Sequence, residues 1–141
     1  MRAVRTLLLG LVPLVALSCR SVAPAKVNAG DQCFRCRRTI GDPRVAGEMI
    51  DGGLVTKYRG SGCLAKYLVA HPGETGTIFV TDFTTGRMIS PTTAMYVPVV
   101  LDRNTGDSDY RAYARKTDAE AAAHETNTAA VDWNTVLDEA R

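Results

Sequence analysis

An α+β fold of two small tandem β-β-α-β units, antiparallel hairpins each packed on a short helix, is what this chain of 141 residues predicts. Three observations carry that reading. Glycine-bearing turns separate short runs rich in β-branched residues, the pattern of antiparallel hairpins. A stretch with helical signals follows each pair of runs. The order strand, strand, helix, strand then recurs in the second half, with little residue identity between the halves. The expected division is residues 1–18 as a signal, 19–30 as a tether, 31–84 as the first unit and 85–141 as the second.

The N-terminus begins with a basic stretch, Met1-Arg2-Ala3-Val4-Arg5, followed by an apolar run over residues 6–17 broken only by Pro13. Charge followed by a short apolar segment is the order of a secretory signal, and the run is too short to span a bilayer. Val15-Ala16-Leu17-Ser18 before Cys19 resembles a lipobox, with the small Ser18 directly before the cysteine and Ala16 standing where Leu is the usual residue. Cys19 is thus expected to be the first mature residue, acylated on sulfur, holding the protein to a membrane without a spanning helix. The expected location is a membrane-anchored lipoprotein facing the periplasm or cell exterior. Ordinary cleavage nearby, leaving a soluble exported protein, is the alternative. Removing the signal takes Arg2 and Arg5 with it and brings the formal charge from +2 to about zero. The remaining basic residues are scattered, with no basic face interleaved with aromatics, which excludes nucleic-acid binding.

The elements follow in order. Residues 21–29 are small and polar and contain Pro24, a flexible tether by composition. After the Gly41-Asp42-Pro43 turn, residues 45–50 read as a strand. Asp51-Gly52-Gly53 turns the chain into a second strand at 54–58. Gly60-Ser61-Gly62 breaks that strand, and Ser61 is placed to cap a helix carrying Leu64, Tyr67 and Leu68. His71-Pro72-Gly73 ends it, and residues 77–82 form a third strand. In the second half, residues 87–89 begin a short strand and 94–101 form a longer one, with Pro98 marking an edge or bulge. Residues 102–109 form a polar loop and 110–114 a strand. Thr117-Asp118-Ala119-Glu120 reads as a capping box, starting a helix at Thr117 that runs to about residue 126. Residues 131–133 are a last strand, with Trp133 as the anchor of the second core, and 134–140 a terminal helix.

The chemistry lies in sulfur. Cys33-Phe34-Arg35-Cys36 can present two sulfurs to one metal, and Cys63 opens the first helix. Exported thiols usually pair, but three thiols besides Cys19 leave one over. A helix N-terminus favours the Cys63 thiolate, and Arg35, Arg37 and Arg38 favour thiolates further. Thiolate and thioether ligands suit Cu(I). Cys33, Cys36 and Cys63 are the expected ligands, with Met88, Met95 and His71 as candidate additions. A Zn(II) site made by the three cysteines and His71 stays open, as does a disulfide staple. A thiol–disulfide oxidoreductase using Cys33 and Cys36 is a further alternative, but the pair precedes a hairpin and does not open a helix after a strand. Met49 reads as core and His124 as solvated. No Ser-His-Asp order, paired carboxylates or phosphate loop stands out, so no enzyme activity is expected.

Across most of the mature part, the chain resembles the NosL family, accessory lipoproteins of nitrous oxide reductase. The resemblance lies in Cys19, in Cys33-Phe34-Arg35-Cys36, and in Gly62-Cys63-Leu64 with Tyr67-Leu68. It continues through Val80-Thr81-Asp82-Phe83-Thr84-Thr85-Gly86, Ala94-Met95-Tyr96-Val97, Arg111-Ala112-Tyr113 and Val131-Asp132-Trp133. It implies two β-β-α-β units, similar in topology to part of organomercurial lyase. It also implies one bound Cu(I), delivered to copper-enzyme assembly machinery or an apo-reductase. The chain departs from the family where Cys36 is followed by Arg37-Arg38 instead of a Gly-Met pair. It departs again at Asn104-Thr105-Gly106-Asp107, which has no methionine.

Overall fold

The computed structural model describes residues 21–141, and the signal and Cys19 lie outside the described residues. Among the described residues the architecture is α+β, with two antiparallel sheets and three α-helices. No helix among the described residues is long and apolar enough to cross a membrane.

Strands β1 (Gly47–Asp51) and β2 (Leu54–Tyr58) form the first hairpin, with Met49 opposite Thr56. Gly52 and Gly53 make its two-residue turn at φ of +54° and +87°. Positive φ at both positions gives the turn whose twist matches the strands, and glycine reaches it without Cβ strain. The strand expected from residue 45 begins at Gly47, because Pro43–Val45 forms a tight 3-10 turn capped by Asp42. Helix α1 (Ser61–Ala70) follows, and β3 (Thr77–Thr81) returns antiparallel along β1. Met88–Ile89 is β4, and it pairs with β3. This stretch, expected to begin the second half's strands, instead forms the far edge of the first sheet, whose order is β2-β1-β3-β4.

The second hairpin joins β5 (Met95–Asp102) to β6 (Asp107–Tyr113). Its loop is tighter than the polar loop expected at 102–109, and Gly106 turns it at φ of +69°. Helix α2 (Lys116–Glu125) packs on this hairpin. The expected capping box does not form: the helix starts before Thr117, and Asp118 instead receives Arg115 Nε at 3.0 Å and the Thr84 hydroxyl at 3.3 Å. The expected strand at 131–133 reduces to one antiparallel bridge between Val131 and Tyr96, and Trp133 opens α3 (Trp133–Glu139).

One large core spans both sheets. It contains Cys33, Ile40, Met49, Tyr58, Leu64, Val80, Tyr96, Ala112 and Trp133. Trp133 therefore does not anchor a separate second core: its ring lies 5.4 Å from that of Tyr96 inside the shared one. A smaller cluster of Val97, Tyr113, Ala119 and Ala123 lies under α2. A parallel bridge between Asp82 and Ala112 stitches the sheets together. The segment expected to be a free tether is docked at its C-terminal end. Val27 is buried in the large core, and the Ala25 N–H donates to Glu48 Oε1 at 2.7 Å. An apolar side chain and a buried acceptor hold that segment to the sheet.

Candidate metal centre

The first two sulfurs sit on a turn at the tip of a small loop. Gly30 N–H donates to Ile40 O at 2.9 Å, and Ile40 N–H to Asp31 O at 2.8 Å, closing the base. Cys33 N–H donates to Arg38 O at 2.9 Å, and Arg37 N–H returns to Cys33 O at 3.0 Å. Arg37 takes the left-handed conformation that completes the turn, at φ of +62°. The loop is fastened to β2 by Phe34 N–H on Lys57 O at 2.7 Å and by Lys57 Nζ on Asp31 at 2.7 Å. That ammonium holds the Asp31 carboxyl below its ordinary range.

Cys63 comes from the first turn of α1. Cys33 Sγ and Cys63 Sγ lie 3.4 Å apart, and all three sulfurs of Cys33, Cys36 and Cys63 fall within 4.8 Å of one another. Cys33 is fully buried, Cys63 almost so, and Cys36 half-buried at the mouth. With metal–sulfur bonds of about 2.3 Å, a trigonal site needs sulfurs about 4.0 Å apart, which this group brackets. Among the described residues, no histidine or carboxylate joins the group.

The two buried thiols are electrostatically unequal. The Cys33 sulfur shares a hydrogen bond with Cys63, in which either sulfur can carry the proton, and the backbone N–H groups of Cys36 and Arg59 also face it; with the proton on Cys63, these partners push the Cys33 thiol below its ordinary value. Cys63 is pushed up, first because its proton is held against Cys33 and then by burial, with Arg35 opposing. The expectation that the helix terminus makes Cys63 the favoured thiolate is thus corrected. The terminus is already occupied by a carboxylate. Gly60 at the N-cap offers no side chain, and Asp109 of β6 supplies the acceptor, taking the Gly62 N–H at 2.7 Å.

The mouth is a hollow of about 610 Å³ lined by Arg35, Cys36, Cys63, Lys66, Tyr110 and Glu139, among others. Arg59 grips Asp107 through two nitrogens, and Arg38 reaches the same carboxylate at 3.2 Å. Asp107, Asp109 and Arg59 were missed by sequence reasoning. Their residue types carry no local motif, and two of them lie in what read as a polar loop.

The other expected donors lie elsewhere. His71 caps the far end of α1, stacked at 4.2 Å on Tyr67 with Nδ1 2.8 Å from Tyr67 O. Eight helical positions put it about 12 Å from Cys63 along the axis. Met88 lies on β4, at the opposite edge from β2 and the cysteine loop, and receives the Thr81 hydroxyl at 3.5 Å. Three strand spacings make that about 14 Å. Met95 packs with Phe83 and Ala122 around the small cluster under α2.

No family model matches the chain, and no curated protein sequence matches it. Among solved structures, it is similar to the crystal structure of the copper chaperone NosL from Shewanella denitrificans. The TM-score is 0.64 at 14% identity, over 79% of this chain and 93% of that one. The fold is NosL-like.

Proposed function

We propose that this protein is a carrier of Cu(I), loading one ion between Cys33, Cys36 and Cys63 and passing it to a copper protein without turnover chemistry of its own. The observation that carries the reading is the convergence of three free sulfurs from two distant stretches of chain. Cu(I) is soft and accepts a small all-sulfur set. Structural Zn(II) sites want a fourth ligand, and none stands with the three cysteines among the described residues. The half-buried Cys36 at the mouth gives an incoming ligand a place to start exchange. The similar solved structure is that of a copper chaperone, which supports the same reading.

The finer parts of the proposal rest on sequence resemblance. The recipient is the assembly machinery or apo-form of a copper enzyme such as nitrous oxide reductase. The protein is exported, anchored through lipid on Cys19, and faces the periplasm or cell exterior. A thiol–disulfide oxidoreductase is disfavoured because Cys33 and Cys36 sit on a loop ahead of the first hairpin and do not open a helix after a strand.

The test is anaerobic titration of the reduced protein with Cu(I) against a competing chelator. One ion per chain is expected. Cys33→Ser and Cys63→Ser are each expected to weaken binding by about tenfold or more. Unchanged affinity in both variants ends the proposal.

A further inference from the structure

We infer that Asp109 and Asp107, two carboxylates on β6, form a clamp that sets the spacing of the three sulfurs while ligating nothing themselves. The inference rests on the reading of Cys33, Cys36 and Cys63 as the metal-holding group.

Helix α1 starts without a cap of its own. Gly60 has no side chain, and Ser61 Oγ is buried without a partner. The first N–H groups of a helix need acceptors, and one left unmet costs the helix start its order. Asp109 fills that need from another strand. Its Oδ1 takes the N–H of Gly62 at 2.7 Å and its own neighbour's N–H, from Tyr110, at 2.8 Å. Its Oδ2 sits so close to Gly60 that a Cβ there would lie 2.0 Å away. Asp109 is itself buried, so no water is at hand to replace it. The next residue after Gly62 is Cys63, which carries the third sulfur.

Asp107 lies two positions earlier on β6 and therefore points to the same side of the strand. It holds Arg59 and Arg38 together. The carbonyl of Arg38 accepts the Cys33 N–H, and the N–H of Arg59 faces the Cys33 sulfur. One carboxylate thus holds the helix that carries Cys63. The other holds the loop that carries Cys33 and Cys36. The second hairpin positions the centre, and Asp109 is a positioning residue for it.

The experiment uses the full mature chain, reduced, with Asp109→Ala and Asp109→Asn. Two quantities are read: the rate at which iodoacetamide alkylates Cys63 in metal-free protein, and the number of sulfurs around bound Cu(I) by X-ray absorption. In Asp109→Ala, Cys63 is expected to react about tenfold faster, and the sulfur count to fall from three to two. Asp109→Asn keeps an oxygen for the Gly62 N–H and is expected to stay within about twofold of the parent. Ala119→Gly, in α2 and away from the centre, lowers stability without touching the clamp, and is expected to leave both quantities unmoved. If Asp109→Ala behaves like Ala119→Gly, with Cys63 protected and three sulfurs kept, the clamp is overturned. Should Asp109→Ala fail to fold, Asp107→Asn decides at the other end. Cys36 alkylation about threefold faster supports the clamp, and an unchanged rate overturns it. If the parent protein binds no Cu(I), the functional proposal fails, while the alkylation rates still decide the clamp.

Discussion

Cys33 and Cys63 are chemically the same side chain, yet their thiols are pushed in opposite directions, because the hydrogen bond they share and the backbone N–H groups around Cys33 act unequally on the two. The Cys33 sulfur has the shared hydrogen bond and two backbone N–H groups beside it, whereas the same hydrogen bond and then burial raise Cys63, with Arg35 opposing. Glu48 shows the same principle with the opposite sign. It is fully buried on β1, one carboxylate oxygen takes the Ala25 N–H, and the other has no partner. Burial pushes its carboxyl above the ordinary 4.5. The folded state therefore holds this proton more tightly than the unfolded chain does, and the stability this contributes is lost as pH rises through the raised value. Glu48→Gln removes the charge and keeps an oxygen for Ala25. At pH 8 it is expected to raise the melting temperature by about 3 °C or more. The gain should shrink as pH falls toward 4.5. A melting difference that is flat across this range contradicts the assignment.

At the scale of elements, tertiary partners or neighbouring charges displace the expected caps at the starts of α1 and α2, while α3 keeps a local one, Asp132 accepting the Thr135 N–H at 2.8 Å. Ser61 was the expected cap of α1, yet its hydroxyl is buried unpaired and a carboxylate from β6 does the capping. The capping box at Thr117 does not form because the helix begins one residue earlier, at Lys116, and the Glu120 carboxylate pairs with Lys116 Nζ at 3.5 Å. Hairpins fared better: Gly52-Gly53 turns β1 into β2 as local rules require, since a two-residue turn is decided by the residues in it. Gly60 supplies a test at this scale. It is extended, so backbone strain plays no part, and the constraint is space beside Asp109. Gly60→Ala is expected to cost about 1–3 kcal/mol in denaturant unfolding. Gly73→Ala, where the space is open, should change stability by no more than about 0.5 kcal/mol. Equal effects at the two sites would contradict the close packing of β6 on α1.

At the scale of the molecule, one core joins the two halves. Leu64, Val80, Tyr96, Ala112 and Trp133 pack in a single cluster drawn from both sheets and from α1 and α3. A single cooperative unfolding transition follows, because neither half closes its apolar surface alone. Trp133→Ala is expected to lower that one transition by about 3–5 kcal/mol. Two separated transitions by calorimetry, or a loss confined to the second hairpin, would show that the halves are independent. The chain's periodicities and turns were enough to read an α+β fold, the three helices and most strands, to within a few residues. They misplaced β4 and overstated the last strand, because pairing partners decide strands that short. The docking of Val27 was invisible as well, since its neighbours are small and polar and only the sheet gives it a place to go.

By itself, the sequence determined which side chains could do chemistry and how the chain alternates between strand and helix. Those properties are local, written in residue type and in spacings of two to four positions. Only the tertiary structure decided that sulfurs 30 positions apart meet, that His71, Met88 and Met95 stay away, and that Asp109 caps a helix 47 positions before it. Such approaches depend on how a shared core closes over both halves at once, and no window along the chain contains that information.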